Sequence, residues 1–242
     1  MAEAADGAES IDAAAGVDSQ CAGSPITRAR KNLAALEALA AAEERGSATA
    51  EEIAAMEAYS GWGGAQKAFS ENAEGEWSEI RDRLKELLSD DEFASQRHTV
   101  LTAFYTPAPV IGAIYDALRE AGIGHGDTPA AILEPGCGTG NFMRLAPADL
   151  ALDFHGVELD PISARIAQAL CPEAHITAAG LEECRVSPAS FDAAIGNVPY
   201  SGDIKIDGMP IHDYFIKKSV EAVRPGGVVA VLTSHYTLDK NS

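Results

Sequence analysis

The spacing of apolar residues divides the chain into three stretches. Residues 1–26 alternate Ala and Gly with acids and contain no basic residue before Ser24, a pattern read as a disordered acidic tail. Residues 27–100 carry helical periodicity. Leu33, Leu36 and Leu39 recur every three residues between Thr27 and Arg45, and Gly46 supplies a stop. Thr49 and Glu52 form a capping box for a helix running to about Ala58. Glu76 to Leu88 places Trp77, Ile80, Leu84, Leu87 and Leu88 on one face. From residue 101 the pattern changes to short apolar runs bounded by turn residues. Ala130–Leu133, Asp153–Val157, His175–Thr177, Phe191–Gly196 and Val228–Leu232 each read as a strand, the first of them buried and the third short. Helices are expected between them: from Thr106-Pro107 to about Ala121, from Pro161 to about Leu170, and from a cap at Asp213 to about Val223. Strands alternating with helices predict an α/β fold, a doubly wound parallel sheet with an α-helical N-terminal extension. Ser201 to Pro210, rich in Gly and Asp, is expected to be a mobile loop, and Gly61-Trp62-Gly63-Gly64 a turn whose Trp62 packs on nearby helices.

Composition narrows the class. Of 242 residues, 46% are hydrophobic, enough for a sizeable core, yet no apolar run reaches membrane-spanning length. Cys21, Cys137, Cys171 and Cys184 have neither metal nor disulfide spacing, which fits a reducing cytoplasm. His155, His175 and His212 stand singly and read as structural, so no metal is expected. The net charge of −19 argues against a strong hold on nucleic acid by this segment, because duplex binding depends on neutralising phosphates.

Two motifs carry chemistry. Glu134-Pro135-Gly136-Cys137-Gly138-Thr139-Gly140 follows the first strand of the α/β region, and Asn141-Phe142 can open a helix. Strand, glycine loop and helix form half of a nucleotide-binding unit, and the glycines let a ligand approach the backbone. Glu158, about twenty residues on and followed by Leu159, is placed to bind ribose hydroxyls. The Gly-x-Gly-x-Gly spacing lacks the last glycine of a dinucleotide fingerprint, and no Gly-Lys-Ser/Thr makes a P-loop. The second motif, Asn197-Val198-Pro199-Tyr200, ends the fourth strand. The bland reading is a strand-ending turn. The functional one is methylation of a planar amino group, whose nitrogen lone pair is delocalised. Hydrogen-bond acceptors for both N–H groups, the Asn197 side chain and the Val198 carbonyl, would make that nitrogen more nucleophilic, while Tyr200 stacks on the base.

Together these residues resemble the S-adenosylmethionine-dependent amino-methyltransferases, in the motif order of the gamma group of DNA adenine methylases. Phe104-Tyr105-Thr106-Pro107 is similar to that group's first motif, Glu134–Gly140 to its cofactor loop, Glu158 to its ribose-binding acid and Asn197–Tyr200 to its catalytic motif. Gly180-Leu181-Glu182 falls where the family contacts the cofactor adenine. The resemblance implies a Rossmann-like methyltransferase fold and S-adenosyl-L-methionine as cofactor. The implied cofactor set is Tyr105, Thr106, Glu134, Gly136, Gly138, Gly140, Asn141, Phe142, Glu158, Leu159, Glu182 and Asn197. The implied catalytic set is Asn197, Val198, Pro199 and Tyr200, with direct transfer to the N6 amine of adenine in DNA. Val198 departs from the family's usual first proline, which bears on rate rather than mechanism.

With Tyr59–Gly64, Ile211-His212-Asp213-Tyr214-Phe215 and Val223–Gly227 added, residues 55 to 240 resemble the methylase portion of large methylase–helicase proteins of phages and conjugative elements. That implies DNA and a helicase domain as partners and a methyltransferase domain over 101–242 that lacks its last strands and a target-recognition domain. The fifth strand would then keep an unpaired edge, and the chain would associate or dissolve poorly. Two alternatives stay open: methylation of a protein glutamine or an RNA guanine amine, and an inactive cofactor-binding module in an anti-restriction or helicase assembly.

Overall fold

The computed structural model describes residue 20 and residues 22–99, 106–200 and 204–233, with only the backbone at 98 and 99. The apolar runs form strands β1 (Ala130–Pro135), β2 (Leu152–Glu158), β3 (His175–Ala178), β4 (Phe191–Asn197) and β7 (Val223–Leu232). They pair in parallel in the order β3-β2-β1-β4-β7. Strand order therefore reverses beside β1, and the C-terminal ends of β1 and β4 flank the crevice where ligands of such sheets bind.

Alternation along the central strands covers both faces. Ile132 of β1 and Ile195 of β4 join Ile111, Tyr115 and Leu118 of α5 (Ala108–Glu120). Leu133 and Ala194 face the other way, onto Tyr214, Phe215 and Ala222 of α8 (Ile211–Ala222). The sheet is a Rossmann-like doubly wound sheet.

The N-terminal helices are α1 (Pro25–Arg45), α2 (Ala50–Glu57), α3 (Glu76–Leu87) and α4 (Asp90–Thr99). Leu36, Leu39, Met56, Trp62 and Leu84 form their core, and Ile162 and Ile166 of α7 (Pro161–Leu170) belong to it too. The helical layer is thus packed directly onto the sheet domain. Buried Arg144 pairs with Glu57 at 2.6 Å, and Arg165 of α7 reaches Glu92 at 2.6 Å. Local signals behave as read at several places. The Thr49–Glu52 capping box is closed in both directions, and Gly46 caps α1 at φ 78°.

Several boundaries differ from expectation. Helix α1 begins at Pro25, with Ser24 as its cap, and Gln20 is fully buried against Asn141 and Glu57; the end of the acidic tail is ordered because it has buried partners. The rest of that tail, 1–19 and 21, lies outside the described residues. Helix α4 was not anticipated, although Ser89 and Glu92 form reciprocal cap bonds at its start. Thr106 is buried and provides no cap to α5, whose cap position is Pro107. Asp213 lies inside the first turn of α8, which follows Pro210. Instead of a loop, Lys205–Ile206 (β5) and Met209–Pro210 (β6) pair as an antiparallel hairpin turned by Asp207 and Gly208 at positive φ. Residues 201–203 lie outside the description. Strand β7 starts at Val223, five residues early, with an irregularity opposite Phe191–Ala193.

Gly156 lets the sheet meet the loop region closely. A Cβ there would sit 2.7 Å from the Met143 methyl, 2.8 Å from the Cys137 sulfur and 2.9 Å from Ile176. We expect Gly156→Ala to destabilise the fold by about 1–3 kcal/mol through overpacking. Urea denaturation against wild type measures this; an unchanged midpoint contradicts it.

Candidate active site

The glycine loop begins where β1 ends at Pro135. Gly136, Gly138 and Gly140 take φ of 75°, 56° and 80°, conformations in which a side chain is strained. The Gly136 and Cys137 amides donate to the Val157 carbonyl at 2.7 and 3.1 Å, which binds the loop to β2. A Cβ on Gly138 would enter open space, whereas one on Gly136 would lie 3.6 Å from Phe215 and 3.9 Å from Pro199. The loop lines a cleft of about 420 Å³ with Glu134, Glu158 and the Asn197–Tyr200 segment.

Two carboxylates face this cleft from adjacent strands. Glu158, at the end of β2, accepts the Gly138 and Asp160 amides, each at 2.8 Å. Burial nevertheless pushes its pKa up to about 7, more than these two amides lower it. Glu134, at the end of β1, is only 2% exposed, and burial followed by repulsion from Glu158 raises its pKa well above the usual carboxylate range. Its Oε2, like Thr139 Oγ1, has no hydrogen-bond partner among the described residues. Orphaned polar atoms of this kind in a cleft fit a ligand that brings hydrogen-bond donors.

On the opposite side, β4 delivers Asn197 to the cleft. The Val198 side chain is buried among Leu133, Val157 and Tyr214, and its amide donates to the Leu232 carbonyl at 3.2 Å. That anchoring leaves Asn197, Pro199 and Tyr200 on the cleft wall. The Tyr200 hydroxyl donates to Asn197 Oδ1, whose carbonyl has two lone pairs, so an incoming N–H donor would share or replace that bond. Burial raises the Tyr200 pKa, so the phenol remains a neutral donor.

The helical layer supplies another wall through Tyr59, Gly61 and Ser95. Its key side chain is Gln96, fully buried. Gln96 Oε1 accepts from the Tyr59 hydroxyl at 2.6 Å and the Trp62 indole at 2.8 Å, and Nε2 donates to Asp160 at 2.5 Å. The other Asp160 oxygen caps α7 through the Ser163 amide at 2.9 Å. Asn32 fixes the preceding turn by donating to Gly61 and accepting from the Ser60 amide.

Of the sequence-derived residues, Thr106, Glu134, Gly136, Gly138, Asn141, Phe142, Glu158, Leu159 and Asn197–Tyr200 share this cleft. Tyr105 lies outside the described residues. Two others are not on this cleft's wall. Gly140 faces Cys171, with its Cβ direction 2.9 Å from that sulfur, and is off the cleft wall. Glu182 is exposed, and its turn presents Ala179 and Leu181 to the cleft instead. The expectation that His155 and His175 stand singly is corrected, because β2–β3 pairing sets them side by side. Sequence reasoning did not assign Tyr59, Ser95, Asp160 or Phe215 to the site, although Tyr59 and Phe215 belong to motifs it quoted.

No family model matches the chain. A Type II methyltransferase, M.XamI, of Xanthomonas campestris pv. amaranthicola is 33% identical over 107 residues. That match covers 40% of this chain, which spans about a fifth (19%) of the relative's length. Among solved structures, DesVI of Streptomyces venezuelae matches at 22% identity and a TM-score of 0.40, over 51% of this chain and 49% of that one. A SAM-dependent methyltransferase of Geobacter sulfurreducens in complex with S-adenosyl-L-homocysteine matches at 19% identity and a TM-score of 0.38, over 52% and 47%. Alignments at these scores add nothing to what the strand order already shows.

Gln96→Ala should remove the acceptor of the Trp62 N–H and the Tyr59 hydroxyl, at a cost of about 1–3 kcal/mol for each group left unsatisfied, whereas the Asp160 oxygen keeps the Ser95 hydroxyl at 3.1 Å. Gln96→Glu keeps the two acceptor bonds but sets a carboxylate against Asp160, and should also destabilise. Equilibrium unfolding of both variants checks this; wild-type stability in Gln96→Ala contradicts it.

Proposed function

We propose that this chain is the cofactor-binding and catalytic part of an S-adenosyl-L-methionine-dependent methyltransferase that modifies the N6 amine of adenine in DNA. The observation that carries the reading is the convergence of the glycine loop, Glu158 and Asn197–Tyr200 on one cleft beside the strand-order reversal. The similarity to a Type II methyltransferase supports methyl transfer, and the amine-acceptor chemistry of Asn-x-Pro-Tyr supports a planar amino substrate.

The cleft residues fit the cofactor. Glu158 would accept from the ribose hydroxyls, and the open side of Gly138 admits the ligand backbone-close. Glu134 Oε2, orphaned and buried, would accept from a cationic or N–H donor at the amino-acid end. Exposed Leu159 and buried Leu181 offer apolar surface to the adenine. When bound, the cofactor supplies an electrophilic methyl group.

The chain's own residues act on the amine. Asn197 Oδ1, sharing or giving up the Tyr200 hydroxyl, accepts one amine hydrogen, and the Val198 carbonyl accepts the other. Tyr200 offers its ring face to the base, and Phe215 backs the loop on the far side of Gly136. These groups position the nitrogen and favour its pyramidal form, which belongs to the transition state. At a net charge of −19, the hold on DNA phosphates is assigned to regions beyond these residues, in keeping with a larger methylase–helicase or modification protein. Comparing methyl acceptance by DNA, RNA and a release-factor-like protein tests the acceptor class; acceptance by the protein alone refutes the DNA reading.

Glu158→Ala should weaken cofactor binding by about 1.5–3 kcal/mol. The pH dependence has a definite sign. Ribose hydroxyls donate best to the ionised carboxylate, whose pKa in the free protein is about 7. Affinity should therefore fall as pH drops through 7, approaching about tenfold per unit. Glu158→Gln should flatten the profile. Calorimetry from pH 6 to 9 reads this, and a flat wild-type profile sinks it.

Asn197→Ala should leave cofactor affinity within a few-fold while lowering methyl transfer on the order of 100-fold or more. Tyr200→Phe should be milder than Tyr200→Ala, since it keeps the stacking face. Single-turnover kinetics separates binding from chemistry; full activity in Asn197→Ala would falsify the acceptor role.

A further inference from the structure

Parallel pairing of β2 with β3 brings together three ligand-bearing side chains outside the cleft. His155 of β2 is the register partner of His175 of β3, and Asp153 lies two residues before His155, on the same face of the sheet. The imidazole rings are 4.8 Å apart between centroids and tilted by 32°. One Asp153 oxygen lies 3.3 Å from His155 Nε2, and the other lies 3.5 Å from His175 Nε2. One ligand atom from each residue falls within 4.8 Å of the others. Phe191 packs edge-on against His155, with ring centroids 5.3 Å apart.

We propose that Asp153, His155 and His175 bind a first-row divalent transition ion of the Zn²⁺ class, and that the ion clamps edge strand β3 to β2. Two imidazoles and one carboxylate suit Zn²⁺, Co²⁺ or Ni²⁺, whereas Mg²⁺ and Ca²⁺ want an all-oxygen shell. Three protein ligands leave coordination positions for water, in keeping with side chains that stay 39% to 66% exposed. The strongly negative chain raises the local cation concentration. The clamp serves the fold because β3 has only four residues and pairs on one edge. Its far end carries Ala178, the partner of Glu158, and Ala179, whose amide donates to the Glu158 carbonyl at 2.9 Å. A metal bridge about 10 Å back along β2 therefore holds the strand that borders the cleft.

The test is titration of the chelator-stripped full chain with Zn²⁺, by calorimetry and by thermal melts, with Mg²⁺ as the contrast. One Zn²⁺ per chain is expected, with a melting temperature that climbs with free Zn²⁺ and no response to Mg²⁺. His175→Ala, at an exposed position, should fold normally, lose the thermal shift and bind Zn²⁺ at least about tenfold more weakly. His155→Ala should do the same, and His125→Ala, on a separate exposed loop, should match wild type. Absence of saturable Zn²⁺ binding in wild type, or wild-type binding in His175→Ala, overturns the proposal.

Discussion

Glu158 is the residue on which the other parts of the site depend. Its carboxylate gathers two backbone amides, from Gly138 of the glycine loop and from Asp160 at the head of α7. Asp160 in turn caps α7 and receives Gln96, which receives Trp62 and Tyr59 of the helical layer. One chain of hydrogen bonds thus runs from an N-terminal aromatic turn to the glycine loop. Every member is buried or half-buried, so each missing partner would leave a desolvated polar group.

The same arrangement keeps the site electrostatically unsettled. Glu134 and Glu158 come from neighbouring strands with burial working against both charges, and two amides compensate only Glu158. The neighbouring Cys137 thiol, pushed up by burial and by both glutamates, remains a neutral filler in the loop.

The helical layer is part of the site rather than an appendage. Ile162 and Ile166 of α7 are buried in its core, and Tyr59, Gly61 and Ser95 stand on the cleft wall. Ion pairs of Arg144 with Glu57 and of Arg165 with Glu92 reinforce the seam. Among the described residues, no Lys or Arg lines the cleft.

The sequence by itself determined the features governed by near neighbours. Short apolar runs at Ile132-Leu133 and Ala193–Ile195 had to be strands buried on both faces, Thr49 and Glu52 had to cap a helix, and Gly136 and Gly138 had to turn the chain where a ligand could approach. Both motifs lie at strand ends, and the end of a strand can be read from composition. Only the tertiary structure decided which side chains face each other across long separations. Gln96 meets Asp160, and Gln20 meets Asn141, through packing that no local period encodes. Glu182 and Leu181 are adjacent in sequence, yet a turn sends one to solvent and the other to the cleft. His155 and His175 looked solitary because twenty residues separate them, and the register of two parallel strands made them neighbours. Register is set by the burial of whole faces, so it is a property of the assembled sheet and not of either segment alone.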